Sequence, residues 1–302
     1  MNAIMPLDAC LVTRFAPSPS GHLHLGHAYS ALFAFRLADA ADGKFMLRIE
    51  DIDPGRCKPE FEDAIIEDLT WLGLQWEEPV LRQSERIDVY RTALEQLDDA
   101  GLIYPCFCAR SDIAAEIASA GAAPHLRRHG PDGLVYPGIC RHLDPEERRQ
   151  RIAAGEPHAL RLDMEAACKR TGALTWHDRA RGEQIARPDL FGDIVMARKE
   201  VATSYHLAVT VDDDAQGVNL VTRGSDLLAA THIHRLLQEL LNLNVLEWHH
   251  TPLLANNDGK RLAKRDKAFT LRAMREAGVD PEEIWAMSIR QIARAAATAD
   301  GL

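Results

Sequence analysis

Fourteen residues near the start of the chain, Arg14-Phe15-Ala16-Pro17-Ser18-Pro19-Ser20-Gly21-His22-Leu23-His24-Leu25-Gly26-His27, constrain its fold more than any other stretch. The apolar run 9–12 reads as a strand, and Pro17, Pro19 and Gly21 break it. Residues 28–37 are Ala-rich and apolar at helical spacing. The stretch therefore lies where a strand hands over to a helix, near the helix N-terminus, where backbone N–H groups favour phosphate. Gly21 and Gly26 let a ligand approach the backbone closely. His24 and His27 can donate hydrogen bonds to phosphate oxygens without carrying a fixed charge. The pattern suggests a nucleotide site. Three histidines within six residues also fit a metal site or polar residues at a helix start.

A chain of 302 residues, 46% hydrophobic and 26% charged, can bury a large core and form two or more structural units. No apolar run approaches the length of a membrane span, and no basic segment leads into a long apolar one, so the cytoplasm is the expected compartment. The net charge of −10 argues against broad nonspecific binding of nucleic acid. Such a partner would use local basic surface, for which Arg127-Arg128, Arg141, Arg148-Arg149-Arg151 and Arg179-Arg181 are candidates, although each run also fits a solvated helix face.

Residues 45–49 read as a short strand that delivers Glu50 to its carboxyl end, where open α/β sheets bind ligands. Glu50 could hold an ammonium group there, while Asp51 or Asp53 could cap the helix beginning near Pro59. Amphipathic helices are expected over 60–74 and after Gln83, and the block from Trp71 to Tyr90 reads as structural. Cys106 and Cys108, with Cys140, form a thiol cluster that in a cytosolic chain favours metal over disulfides. The fourth ligand could be His125, His129, Tyr136 or His142, histidine being the commoner zinc ligand. Residues 191–195 and 204–213 read as returns to a sheet. Asp212-Asp213-Asp214 fits a solvated turn better than a magnesium site. Arg223, just past a buried apolar strand, could fork onto a carboxylate, with Tyr205 bonding the same ligand; pairing of Arg223 with Asp226 is the alternative. His232 and His234, two apart, do not face together and read as structural. After the strand-like 252–254, Asp258-Gly259-Lys260-Arg261-Leu262-Ala263-Lys264-Arg265 is a basic loop, either a phosphate clamp or an exposed turn. Helices over 271–277 and 281–297 close the chain.

Taken together, the H-L-G-H stretch, the R-I-E-D-I-D block and the basic loop resemble class I aminoacyl-tRNA synthetases of the glutamyl type, and the resemblance runs over nearly the whole chain. It implies an α/β fold: a Rossmann-type parallel sheet with an inserted zinc-containing α+β subdomain and a short C-terminal helical region. The implied divisions are a first catalytic half at 1–104, the insertion at 105–195, a second catalytic half at 196–255, and a signature loop with helices at 256–302. His24, His27 and Lys264 would be catalytic, Lys264 occupying the catalytic lysine position of the K-M-S-K-S signature, here Arg261-Leu262-Ala263-Lys264-Arg265. Glutamate would be bound by Arg14, Phe15, Ala16, Pro17, Ser18, Glu50, Tyr205 and Arg223, with Glu50 on its α-amino group, and ATP by His24, Gly26, His27 and Lys264. The family's C-x-C…Y-x-x-x-C pattern makes Cys106, Cys108, Tyr136 and Cys140 the ligands of one structural Zn2+, with His142 the fallback for Tyr136. Mg2+ would accompany ATP. The large anticodon-binding region of full-length glutamyl enzymes is missing after residue 302, which favours the branch that passes glutamate to queuosine in tRNA(Asp). Partners are then ATP, L-glutamate and queuosine-containing tRNA(Asp), acting on a monomer. The rivals are a shortened enzyme charging a tRNA 3′ end, an HxGH nucleotidyltransferase acting on a small metabolite, and a regulatory glutamate or nucleotide sensor.

Overall fold

In the computed structural model, which describes residues 10–109, 111–113, 129–253 and 270–299, the chain opens with three strand–helix units. Val12–Phe15 (β1) leads to Leu25–Asp39 (α1), Lys44–Ile49 (β2) to Pro59–Trp71 (α2), and Glu77–Arg82 (β3), through a tight turn at Gln83–Arg86, to Ile87–Asp99 (α3). Next come Ile103–Cys106 (β4), His129–Gly130 (β5), Gly133–Leu134 (β6), Pro145–Ala153 (α4), Ala159–Leu162 (β7), Met164–Thr171 (α5), Thr175–Asp178 (β8), Gly182–Ile185 (β9) and Val195–Ala197 (β10). Tyr205–Ala215 (α6), Leu220–Gly224 (β11), Ala230–Leu240 (α7), Glu247–Thr251 (β12), Leu271–Glu276 (α8) and Pro281–Ala299 (α9) follow. Among the described residues no helix is long and apolar enough to cross a membrane.

β1, β2 and β3 form a parallel sheet in that order. β11, β12 and β8 form a second parallel run, with β9 an antiparallel edge. The two sheets adjoin at β1 and β11. Asn219 takes the Val12 N–H on its side-chain oxygen (2.8 Å) and gives its own N–H to Val12 O (3.1 Å). Helices cover this α/β, Rossmann-like layer in two apolar cores. One joins Leu32 of α1, Leu47 and Ile49 of β2 and Leu69 of α2 to Leu271 and Ile284. The other joins Leu97 of α3, Leu207 of α6, Ile233 and Leu236 of α7 and Trp248 of β12. Strands buried on both faces read as continuous apolar runs, which is why β2 and β11 are legible in the sequence.

Several expectations shift. The first described strand is 12–15, beginning where the expected one ends; 10 and 11 are not strand, and 9 lies outside the described residues. β3 carries Glu77, Glu78 and Pro79 and has no strand-like pattern. The strand before the basic loop is the polar-looking Glu-Trp-His-His-Thr of 247–251; 252 and 253 are not strand, and 254 lies outside the described residues. Residues 204–213 form no strand. They are the capped start of α6, where the Ser204 hydroxyl accepts the Leu207 N–H. Leu207 to Asp213 are all buried, so the helix lacks the polar face that would have given it a 3.6-residue period. Residues 191–195 end in β10, which pairs antiparallel with β7, itself paired to β4. The boundaries proposed at 105 and 195 fall inside β4 and at the start of β10, and the β8–β9 hairpin between them extends the β11–β12 sheet.

The three acids 212–214 are not a turn either. Each closes α6 onto a different element. Asp212 accepts from Gln83 Nε2 (2.9 Å), Arg86 Nε (2.7 Å) and Tyr90 OH (2.6 Å). That gives the polar members of the Trp71–Tyr90 block their structural purpose. Asp214 receives the Asn244 backbone and side-chain N–H groups.

One buried acid is poorly partnered. Asp68 of α2 is 0% exposed, neither carboxyl oxygen accepts a hydrogen bond, and Arg275 of α8 stands 3.8 Å away. Burial, opposed by Arg275, pushes its pKa up to about 6. A folded value above the ordinary one means that stability from this group is complete at low pH and is lost as pH rises through about 6. Asp68→Asn is therefore expected to stabilise the protein by about 1–3 kcal/mol at pH 8 and by nothing near pH 4. Thermal midpoints at the two pH values check this, and a stabilisation larger at pH 4 than at pH 8 would contradict it.

Candidate active site

α1 begins with a pair of mutually held imidazoles. The Gly26 N–H donates to His24 Nδ1 (3.0 Å), and the His24 N–H donates to His27 Nδ1 (3.1 Å), a capping box built from histidines. The rings stack with centroids 3.8 Å apart. With both Nδ1 atoms accepting, each neutral ring carries its proton on Nε2, so both are hydrogen-bond donors through that nitrogen. Gly26 is required by packing: a Cβ there would sit 2.9 Å from His24 Cε1. A Cβ on Gly21 would meet nothing within 4 Å, so no protein atom requires a glycine there.

Beside this helix start, the carboxyl ends of β1, β2, β11 and β12 surround a cavity of about 740 Å³. Its wall includes Arg14, Phe15, Ala16, His24, Gly26, His27, Glu50, Tyr205 and Arg223. Pro17 and Ser18 lie outside that wall, and the Ser18 hydroxyl is 3.6 Å from Cys57 Sγ.

Two kinds of cationic site meet there. On the β1–β2 side, Asp213 Oδ1 accepts from Arg14 Nε (3.0 Å) and Arg48 Nη1 (2.8 Å), and Arg48 Nη2 reaches Glu50 Oε1 (3.2 Å). Burial tends to raise the Asp213 carboxyl, but the two guanidinium groups hold it below the usual carboxylate range. Burial pushes Glu50 up, against the pull of Arg48 and Arg14. On the β11 side, Arg223 is 6% exposed, and its partners are all neutral. Its Nε donates to His250 Nε2 (3.1 Å), Nη1 to His234 Nδ1 (3.1 Å) and Tyr205 OH (3.4 Å), and Nη2 to Thr231 Oγ1 (2.6 Å). Among the described residues no carboxylate pairs with it, and the alternative partner Asp226 does not. Burial, and then the Arg223 charge, hold His234 well below the usual histidine pKa and bring His206 down to about 4, so both are neutral near pH 7. In this cluster the three arginines outnumber the two carboxylates Asp213 and Glu50 by one, and a further carboxylate, Asp226, also lines the cavity.

Lys264, with Lys260, Arg261, Ala263 and Arg265, lies outside the described residues, as do His125, Arg127 and Arg128. The chain enters and leaves the segment 254–269 at the site. Leu253 lines the cavity, Thr270 bridges His24, and the Leu271 N–H donates to Leu23 O (2.9 Å).

A second cluster sits on β4 and the turn at Ile139–His142. The sulfurs of Cys106, Cys108 and Cys140 lie within 4.8 Å of one another. The Tyr136 hydroxyl is 3.4 Å from Cys106 Sγ and 3.5 Å from Cys108 Sγ, and it accepts the Cys140 N–H (2.9 Å). The Tyr136 ring lies under the Arg161 guanidinium at 3.8 Å. Three sulfurs and a phenol oxygen at this spacing can reach a single ion. Nearby, a cavity of about 350 Å³ is lined by Tyr136, Arg161, Asp193 and Ser204 and shares Tyr205 with the larger one.

Sequence reasoning missed Arg48, Asp213, Asp178, Thr231, His234 and His250. Arg48 stands two residues before Glu50 in the R-I-E block, on the same side of its strand, and that alternation was the available signal. The rest are joined to the site only by tertiary contacts.

Residues 10–299 match the family of class I tRNA synthetases (E and Q), catalytic domain. The chain is 50% identical over 279 residues to the glutamyl-Q tRNA(Asp) synthetase of Rhodobacter capsulatus, covering 91% of this chain and 98% of that one. It is 40% identical over 273 residues to the glutamate–tRNA ligase of Aquifex aeolicus, covering 90% and 55%. A solved glutamate tRNA ligase from Elizabethkingia meningosepticum, in complex with its amino acid, matches with a TM-score of 0.74 at 29% identity over 85% of this chain and 52% of that one. The chain spans about half the length of the glutamate–tRNA ligases it matches.

Proposed function

The chain belongs to the class I tRNA synthetases of the E and Q type, and from that premise we propose that it activates L-glutamate with ATP and transfers the glutamyl group to queuosine in tRNA(Asp). One observation carries the choice of amino acid: Arg223, buried in the cavity wall, has only neutral side-chain partners among the described residues, and glutamate brings a side-chain carboxylate to meet it. Glutamine would leave that buried charge unpaired, which is costly.

In the first step a carboxylate oxygen of glutamate attacks the α-phosphorus of ATP. The P–O bond to pyrophosphate breaks, and glutamyl-adenylate remains. Glu50 takes the ammonium group. Arg223 and Tyr205 take the side-chain carboxylate, the one that keeps its charge through the reaction, and Arg14 faces the α-carboxylate. Phe15 and Ala16 supply the cavity wall, and Pro17 and Ser18 the turn behind it. The Nε2–H groups of His24 and His27 stabilise charge developing on the phosphate, with Lys264 expected to join them and Mg2+ to accompany ATP, so catalysis is positioning and electrostatics. In the second step a hydroxyl oxygen of the queuosine cyclopentenediol attacks the acyl carbon, the bond to AMP breaks, and the hydroxyl proton leaves to phosphate or water. The smaller cavity, which shares Tyr205, is the side from which the acceptor enters. Similarity to the Rhodobacter capsulatus protein along 98% of its length supports queuosine as the acceptor. Cys106, Cys108, Cys140 and Tyr136 suit Zn2+, whose closed four-ligand site would pin the inserted strands and take no part in chemistry.

Charging of a tRNA 3′ end is the second reading, favoured by similarity to the Aquifex aeolicus ligase; it shares the activation step. Activation is tested by ATP–pyrophosphate exchange without tRNA. Exchange with glutamate and little with glutamine is expected, and no exchange with either overturns the assignment.

A further inference from the structure

Behind Arg223 lies a buried relay that reaches out of the β11–β12 pair into the preceding hairpin. Asp178, the last residue of β8, is 0% exposed and accepts from His250 Nδ1 at 2.6 Å and from the His250 backbone N–H at 3.1 Å. Its other oxygen takes the Ala180 N–H (2.9 Å). A proton fixed on Nδ1 leaves the Nε2 lone pair of His250 to accept from Arg223 Nε, with Thr231 Oγ1 taking Nη2. Neither Asp178 nor His250 lines the cavity.

We propose that Asp178 and His250, with Thr231, are positioning residues for amino-acid selection: they orient Arg223 through neutral acceptors, so that its charge is reserved for the substrate's side-chain carboxylate. A carboxylate placed directly on Arg223 would orient it equally well but would neutralise it, and the site would lose its preference for an acid over an amide. Setting the acid one imidazole back keeps the geometry without the counter-ion. The same device ties the β8–β9 hairpin to the amino-acid site.

This matters only if Arg223 receives a substrate carboxylate, as proposed above, and wild-type exchange with glutamate tests that separately. The experiment is ATP–pyrophosphate exchange by the full chain, with KM and kcat for glutamate, glutamine and ATP. An amide at 178 cannot accept from both the Ala180 N–H and His250, so Asp178→Asn no longer enforces the tautomer. Asp178→Asn should raise KM for glutamate about tenfold to a hundredfold, the scale of one or two lost charged hydrogen bonds. It should lower the glutamate-over-glutamine ratio by a similar factor and leave KM for ATP within about twofold. Thr231→Val, close in volume, should shift the same two quantities in the same direction by a smaller factor, and it carries the test if Asp178→Asn does not fold. Unchanged glutamate KM and unchanged discrimination in a folded variant overturn the proposal. So does a loss of kcat with KM for ATP rising in parallel, which is what general damage to the site would give. An inactive wild type overturns the assigned activity instead.

Discussion

Arg223→Gln lowers kcat/KM for glutamate in the exchange reaction by about two to three orders of magnitude, the scale for removing one partner of a buried, hydrogen-bonded charge pair. The side chain is held by His250, His234, Thr231 and Tyr205, all neutral, so none of these partners substitutes for its charge. Glutamine keeps hydrogen-bonding capacity but removes the positive charge, and the glutamate side chain would then bring its carboxylate against groups that are all neutral. Stability should respond in the opposite sense. Burial lowers the Arg223 pKa, the mark of a charge held at a cost in the unliganded protein, so the variant should melt no lower than the wild type. Steady-state exchange kinetics together with a thermal melt check both halves. Lost stability with unchanged glutamate KM would make Arg223 a structural residue.

Metal removal should separate the two halves of the reaction. Purified chain is expected to carry one Zn2+, and chelation or Cys140→Ala should release it. The apolar cluster built on the thiols includes Tyr104, Phe107 and Tyr136. Tyr136 also supports Arg161 in the wall of the smaller cavity. Without the ion, three buried or half-buried thiols lose the partner that organises them, and this part of the insertion loosens. The thiols bond to Tyr136, to the Phe107 backbone and to one another, whereas the amino-acid site draws on β1, β2, β11 and β12, on Asp178 of β8 and on Tyr205 and Asp213 of α6, and meets the smaller cavity only at Tyr205. Glutamate-dependent exchange should therefore change by less than about tenfold, whereas transfer to tRNA should fall by about ten- to a hundredfold, the scale typical of disturbed metal surroundings. Equal loss of both activities, or metal content of zero with full transfer, would contradict this division.

What could be read in the sequence followed from distance along the chain. His24, Gly26 and His27 speak for themselves because a strand, a Pro-rich break and a helix start lie within twenty residues, and their capping geometry is local. The C-x-C pair and Y-x-x-x-C are equally local, and the fold brings Tyr136 onto the thiols. The charge pattern of the amino-acid site is not local. Arg48 and Asp213 are 165 positions apart, and Asp213 is hidden in a helix whose buried Leu-Ala-Val-Thr-Val run mimics a strand. His232 and His234 do face apart, as their spacing requires: half-buried His232 accepts from Trp176 Nε1, while buried His234 holds Arg223. No pattern in one sequence ties Asp178 to His250 across 72 positions.

The most direct measurement is transfer of labelled glutamate to tRNA(Asp), comparing tRNA that contains queuosine with tRNA(Asp) of the same sequence that lacks it, and with tRNA(Glu). Labelling of queuosine-containing tRNA(Asp) alone, in a linkage that survives removal of the 3′ terminal adenosine, is the predicted result. Labelling of tRNA(Glu) at its 3′ end, whatever the state of the queuosine position, would contradict the assigned acceptor while leaving glutamate activation intact.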